Sequence, residues 1–242
     1  MFTYEDIFSS KQNILIVTAH PDDSVVYYGA LIRKLTAEKK NIFVLNVTNG
    51  CRGSGDTVIT EEELGKNRVS EELLALEFLG VQHNNYACLN YKDGEVESNY
   101  KLIGEISKYI RQFKPHIVCT HEPTGVYLSD YGNRGFFVQH RDHRKVGEAV
   151  VDAVYPFSRD KSFFPEHQKE GIAPHTVMEI LLTDEIKSNF DFDYTEDIKT
   201  KIDALLLHKS QFNTPESAQE IVDAVKFDNR YLEKYFYIKL LW

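Results

Sequence analysis

The stretch Asn13-Ile14-Leu15-Ile16-Val17-Thr18-Ala19-His20-Pro21-Asp22-Asp23 decides the reading of this chain. Residues 14–17 are apolar and read as a buried parallel strand, and the run breaks at once into His, Pro and two Asp. In parallel α/β sheets ligands bind beyond the C-terminal ends of strands, so His20, Asp22 and Asp23 stand where a site is expected. Proline stiffens the turn and brings no backbone N–H of its own.

Working outward, the pattern repeats. A helix is expected over 25–38, a strand over 42–47, and a helix from a Thr60 cap to about Leu79, stopped by Gly80. Glu61, Glu62 and Glu63 fall in its first turn, where the helix dipole favours acids. A short strand over 85–89, a helix over 100–113 and a strand over 116–120 follow. Residues 122–139 read as a long loop and 143–153 as a helix. Then come a loop over 157–174, strands over 176–182 and 190–194, and amphipathic helices over 195–209 and 216–235. Alternating strands and helices predict an α/β fold: a Rossmann-like, mostly parallel sheet with helices on both faces, a three-layer sandwich. The chain reads as one domain over 1–242, with a Rossmann-like core over about 10–155 and an α/β completion over about 156–242.

Composition narrows the function classes. Of 242 residues, 42% are hydrophobic and 27% charged, a folded rather than a disordered balance. The net charge of −9 argues against a nucleic-acid-backbone binder and against a polybasic lipid anchor. The first residues lack the basic and apolar regions of a signal peptide, and no stretch approaches the length of a membrane span. Cys51, Cys88 and Cys119 form an odd set without CxxC spacing, as expected of reduced thiols, so the expected location is the cytoplasm. The apolar end, 235–242, predicts a docked segment and leaves a homo-oligomer open.

A second polar cluster, His140-Arg141-Asp142-His143, opens the helix expected at 143. His140 and His143 are three apart and share a face. His20, Asp23 and one of these histidines would make a three-ligand site with a position left for water, the pattern of catalytic zinc. A structural polar network of the same residues is the alternative, with Asp22 or Asp23 serving as a helix cap. Asn49-Gly50-Cys51-Arg52-Gly53-Ser54-Gly55 follows the second strand and lacks the GxGxxG frame, and no GxxxxGK[ST] occurs, so no nucleotide cofactor is expected.

Four motifs together resemble one family. Ala19-His20-Pro21-Asp22-Asp23 matches its (A/P)HPDD motif, and His140-Arg141-Asp142-His143 matches its looser HxDH motif. Arg68-Val69-Ser70-Glu71 matches an R-x-x-E pattern, and Lys201 with His208-Lys209-Ser210-Gln211 matches a K…H-x-S-Q segment. The chain is similar in this to the LmbE-like, or PIG-L, zinc-dependent N-deacetylases, from about residue 13 to 211. It departs at Arg141, where proline is usual, which should alter loop stiffness more than chemistry.

The resemblance implies zinc ligation by His20, Asp23 and His143, with ferrous iron open to the same donors. It implies that Asp22 is the general base and that His140 stabilises the oxyanion and protonates the departing amine. It implies that Asp142 orients a histidine, the alternative being an ordinary acid at a helix start. Arg68 is a candidate substrate contact, or else a salt-bridge partner of Glu71 or Glu72. Asp93, in the Asp93-Gly94 turn, is a candidate substrate contact as well. His208 is expected in a supporting role, and His121 and Asn49 near the pocket. Tyr127, Tyr131, Arg134, Phe136 and Phe137 would form an aromatic sugar wall or a subunit contact. The implied reaction is removal of an N-acetyl group from a glucosamine-type amino sugar or its glycoside, a small-molecule conjugate, with release of acetate. Nothing in the sequence separates a pseudodisaccharide, free N-acetylglucosamine or a short chitooligosaccharide. The alternatives are an amidase on another N-acyl or thiol-conjugate substrate and a noncatalytic binding protein that keeps the metal site.

Overall fold

Strand β1, Asn13–Thr18, is the centre of the fold. Its side chains alternate between two cores: Ile14 and Ile16 enter one, Leu15 and Val17 the other. A strand buried on both faces is the mark of a parallel sheet covered by helices on each side. The computed structural model describes residues 1–53, 58–129, 135–183 and 187–242. Ser54, Gly55 and Asp56 of the Gly-rich loop, and Tyr131 and Arg134 of the aromatic segment, lie outside the described residues.

A short helix α1, Tyr4–Phe8, precedes β1. Then come α2 (Asp23–Ala37), β2 (Asn41–Thr48), α3 (Glu61–Phe78), β3 (Tyr86–Tyr91), α4 (Tyr100–Phe113) and β4 (Ile117–His121). The caps expected from sequence form. Thr60 Oγ1 accepts the Glu63 N–H at 3.2 Å, and α3 ends before Gly80, whose φ is 96°. Asn99 caps α4 in the same way at 3.1 Å. The chain goes on through β5 (Tyr127–Ser129), β6 (Phe136–Val138), α5 (Arg141–Asp152), α6 (Pro165–Lys169), β7 (Glu179–Thr183) and β8 (Phe190–Asp193). It closes with α7 (Ile198–Leu205), α8 (Pro215–Ala224), β9 (Lys226–Phe227) and β10 (Arg230–Lys239).

The main sheet runs β3-β2-β1-β4-β7-β10-β8. The pairs from β3 through β7 are parallel, and β10 is antiparallel to both β7 and β8. Helices α1, α2, α7 and α8 contribute to the core with Ile14, and α4 and α5 to the core with Leu15. The strand order reverses between β1 and β4, so the crevice above their C-terminal ends is the topological switch point.

Three expectations are corrected. The helix expected over 216–235 ends at Ala224, and the rest is β-structure. Asp228 and Asn229 take φ of 48° and 59°, the left-handed pair of a tight hairpin, which turns the chain from β9 into β10. The docked C-terminal segment is thus a strand inside the sheet. The loop expected over 122–139 contains an antiparallel ribbon, β5 paired with β6. The loop expected over 157–174 contains α6, and the buried Arg111 guanidinium organises this region. It donates to the carbonyls of Phe157, Ser158, Asp160, Phe163 and Phe164. Among the described residues no helix is long and apolar enough to cross a membrane.

Candidate active site

β1 delivers His20 to the crevice and α2 begins immediately after it. The Asp22 backbone has φ of 111°, a left-handed value that costs a non-glycine residue about 1–2 kcal/mol. Two side chains, Glu72 and Arg68, hold it there. The Asp22 N–H donates to Glu72 Oε2 at 3.1 Å, and Arg68 Nη2 donates to Asp22 Oδ2 at 3.0 Å and to Pro21 O at 2.7 Å. Ser24 Oγ donates to the other oxygen of Glu72. Arg68 Nη1 reaches Gly50 O at 3.0 Å, and a Cβ at Gly50 would lie 2.6 Å from the guanidinium. Glycine at this turn makes the room that Arg68 occupies.

Asp23 is the hub. Its Oδ2 accepts the His20 N–H at 2.7 Å and stands 3.3 Å from His20 Nδ1 and 3.4 Å from His121 Nε2. Its Oδ1 is 3.2 Å from His143 Nε2. β4 supplies His121 from its last position and α5 supplies His143 from its first turn. α5 lies so close to β4 that a Cβ at Gly147 would come within 2.4 Å of His121 O. The His121 and His143 rings stack, 4.1 Å between centroids and 1° between planes.

His20 is held from its other edge. Its Nε2 is 3.2 Å from Asp93 Oδ1 and 3.4 Å from Asp142 Oδ2, and that Asp142 oxygen also accepts the Gly94 N–H at 2.6 Å. A carboxylate behind a histidine fixes its ring and raises its basicity, the arrangement common behind metal ligands. Asp93, a candidate substrate contact in the sequence, is buried against His20. Arg68, expected at substrate or at Glu71 or Glu72, pairs with Asp22 and is 4% exposed.

His140 caps α5: its Nδ1 accepts the Asp142 N–H at 3.1 Å, which leaves the proton on Nε2 in the neutral ring. The His140 ring is edge-on to His20 at 4.6 Å. Arg141 bridges the start of α5 to the loop after Gly94 through Val96 O and Glu97.

The charges follow from burial and neighbours. Burial and the adjacent Asp23 carboxylate raise Asp22 against the pull of Arg68, to about 6. Burial acts to raise Asp23 as well, but His143, His121 and His20 hold it well below the carboxylate range. Burial, with His20 and His143 beside it, lowers His140. Burial lowers His121 to about 4, and its Nε2 accepts the Ala19 N–H at 3.0 Å.

The donor set fits a metal ion. His20, His140 and His143 offer ring nitrogens within 4.8 Å of one another, and so do Asp23, His121 and His143 with one atom each. His143 is common to both groups, and Asp23 touches His20 as closely as it touches His143. His121 Nε2 is engaged by a backbone amide, and a third group, His20, Asp93 and Asp142, also brings one atom each within 4.8 Å of one another. Two imidazoles and a carboxylate are donors that zinc accepts.

The remaining motif supports this centre from outside. Lys201 pairs with Glu233 at 2.6 Å, Ser210 Oγ donates to Glu71 at 2.5 Å, and Gln211 Nε2 donates to Gly53 O at 2.8 Å. His208 Nε2 is 3.3 Å from Glu72 Oε2, outside hydrogen-bond alignment. Asn49 Oδ1 accepts the Cys51 N–H at 3.2 Å in the turn after β2. Tyr127, Phe136 and Phe137 are exposed on the ribbon. Glu72 and Tyr27 were not anticipated as site residues. Tyr27 follows Asp23 by one helical turn, which is the signal that it shares the Asp23 face, and its ring stands edge-on to His121 and His143.

Comparison with known proteins agrees with this geometry. Residues 15–154 match the PIG-L family, described as GlcNAc-PI de-N-acetylase. The chain is 28% identical over 220 residues to a diacetylchitobiose deacetylase of Thermococcus kodakarensis, covering 91% of this chain and 77% of that protein. It is 25% identical over 192 residues to a 1D-myo-inositol 2-acetamido-2-deoxy-alpha-D-glucopyranoside deacetylase of Rhodococcus erythropolis, covering 68% of this chain and 64% of the relative. The structure of N,N'-diacetylchitobiose deacetylase from Pyrococcus horikoshii superposes with a TM-score of 0.85 at 26% identity, over 96% of this chain and 85% of that one. With the family match spanning more than half its length, the chain belongs to the PIG-L (LmbE-like) family.

Proposed function

We propose that this protein is a metal-dependent N-deacetylase that removes the acetyl group from a glucosamine-type amino sugar or its glycoside. The observation that carries the reading is the placement of Asp22 beside Asp23. One carboxylate is surrounded by three histidines, while its neighbour is held aside by Arg68 and Glu72 in a strained backbone.

In this reading His20, Asp23 and His143 hold the ion, zinc by its donor preference and ferrous iron as the runner-up. When bound, the ion supplies Lewis acidity toward the amide carbonyl and toward water. Asp22 takes the proton of the attacking water, and a carboxylate raised to about 6 is a competent base near neutral pH. His140, neutral with its proton on Nε2, donates to the oxyanion that develops on the amide carbonyl. The proton that Asp22 took from water goes to the departing nitrogen, while His140 keeps its Nε2 proton as the oxyanion donor, so acetate and a free amine leave and Asp22 returns as carboxylate. Asp93 and Asp142 orient His20, and Arg68 orients Asp22. A small amino-sugar conjugate is the substrate class, with the cytoplasm as the location.

The test is release of acetate and free amine from a panel of N-acetylglucosamine glycosides by zinc-loaded protein. Asp22→Ala keeps the metal and loses about a hundredfold or more of turnover, the range of a general base. Full activity in Asp22→Ala would remove Asp22 from the mechanism, and no turnover on any acetamido sugar by folded, loaded protein would remove the function.

A further inference from the structure

A cavity of about 50 Å³ borders His143. Its walls include Val26 of α2, Leu128 of β5, Ile221 of α8, Val225 at its end and Leu232 of β10. His143 itself forms part of the wall. None of His20, Asp22, Asp93 and His140 lines it. We infer that this cavity is an acyl-side subsite, which receives the tail of an N-acyl group longer than acetyl. The inference rests on the deacylase reading above and extends it to the acyl half of the substrate.

The geometry sets the direction. A scissile amide carries its sugar on the nitrogen and its acyl chain on the carbonyl carbon, so the two halves leave the reacting centre on different sides. His143 is shared by the polar cluster and the cavity wall: its Nε2 meets Asp23 Oδ1 at 3.2 Å, and the residue lines the cavity, whereas His20, Asp22, Asp93 and His140 do not. An occupant therefore begins in contact with a ligand of the proposed ion.

The chemistry of the walls selects the occupant. Aliphatic side chains dominate. The two charges at the far wall, Lys201 and Glu233, neutralise each other at 2.6 Å, and the Lys234 ammonium rests over the Phe227 ring at 4.8 Å. A neutral alkyl chain finds aliphatic neighbours in this arrangement. Gln139 and His121 also line the cavity, and Gln139 Oε1 and His121 Nδ1 have no hydrogen-bond partner among the described residues. Both atoms are sealed from solvent, so they do not make the cavity wall polar. At roughly 10–15 Å³ of this volume per water-sized atom, the space takes about four heavy atoms. That size corresponds to propionyl or butyryl, not to a fatty acyl chain.

The test compares N-acetyl-, N-propionyl- and N-butyrylglucosamine as substrates of zinc-loaded wild type, Val225→Phe and Ile221→Phe. The second variant stands in if the first fails to fold. The wild type turns over the butyryl compound with kcat/KM within about tenfold of the acetyl compound, and either variant lowers the butyryl-to-acetyl ratio by about tenfold or more. Hydrolysis of acetyl alone, or a ratio unmoved by both variants, overturns the subsite and leaves the deacetylase reading standing. If no amide is hydrolysed, that reading falls, and butyramide titrated into the protein decides the cavity by NMR. Amide shifts at Ile221, Val225 and Leu232 that the variants abolish support the pocket, and their absence overturns it.

Discussion

Glu233 is expected to be worth more to this fold than its ion-pair partner. Glu233 Oε1 accepts the Lys201 ammonium at 2.6 Å and the Ala30 N–H at 2.9 Å. Its Oε2 accepts the Leu31 N–H at 2.9 Å and the Tyr235 O–H at 2.8 Å. Lys201 otherwise rests against the Tyr194 ring at 4.6 Å. Both side chains are buried, so neither charge has water to fall back on. Glu233→Leu strands a buried ammonium, which costs about 3–5 kcal/mol, and removes an acceptor from two α2 amides and the Tyr235 hydroxyl besides. Lys201→Met leaves a carboxylate that still accepts three donors, and its cost is about 2 kcal/mol. The double variant removes the stranded charge, so it recovers about 2 kcal/mol over Glu233→Leu alone without reaching wild type.

The assay is urea unfolding followed by circular dichroism, with the ion removed by chelator so that binding does not add to stability. Against a total of about 5–15 kcal/mol for a domain, the larger loss is a visible fraction of the fold. Equal losses in the two single variants, within about 0.5 kcal/mol, would refute the argument, as would a double variant that lies at the sum of its parts. A consequence for the site follows from the same contacts. Tyr235 O–H also reaches Tyr27 O at 2.8 Å, so Glu233 and Tyr235 clamp the helix that begins at Asp23 and carries Tyr27 against His121 and His143.

Two further predictions concern Glu72. Glu72→Ala frees the Asp22 N–H and Ser24 Oγ, a loss of about 1–3 kcal/mol at a backbone already strained, so kcat falls about ten- to a hundredfold while bound metal, measured by atomic absorption, stays stoichiometric. Unchanged kcat would show that Arg68 alone holds the base. His208, lowered by burial to about 3, binds its proton in the unfolded chain first as pH falls from 6.5, so it withdraws stability down to about 3. Glu72, raised by burial to about 8 from 4.5, does the opposite between those values, so the two offset each other between about 4.5 and 6.5. His208→Leu removes an acid slope of up to about 1.4 kcal/mol per pH unit below about 4.5, read from chelated protein by urea melts at pH 3.5 and 4.5, and an unchanged slope would refute it.

The parallel half of the fold was legible because its signals are local. β1, β2 and β4 are apolar runs, and Thr60 and Gly80 punctuate α3. The C-terminal error has a physical cause. Ala218, Ile221, Val222 and Val225 do follow the helical period, and the apolar run beyond them masks the turn at Asp228 and Asn229. β10 gives no alternation to read, since Tyr235 and Tyr237 enter one core while Phe236 and Ile238 pack against the other. The ribbon at 127–138 was missed because its strands are three residues each and carry Tyr127, Phe136 and Phe137 outward. At the site, the sequence named the residues but not their partners. Arg68 and Asp22 are 46 positions apart, and the contact of Asp142 with His20 spans 122. Such pairings follow from the strand order, which composition and periodicity do not carry.

The fourth motif gains a physical meaning from that order. Lys201, His208, Ser210 and Gln211 touch none of the candidate ligands. Each meets a residue that does position the site. Lys201 meets Glu233, which grips α2, and His208 lies against Glu72, which holds the Asp22 amide. Ser210 reaches Glu71 on α3, the helix that carries Arg68, while Gln211 reaches Gly53 beside the Arg68 guanidinium. Asp22 has a left-handed backbone that its own local sequence does not favour, so its conformation must be imposed by neighbours packed from α3 and the segment after α7. A site built on a strained residue needs such a frame, and the separation of these residues along the chain is the result.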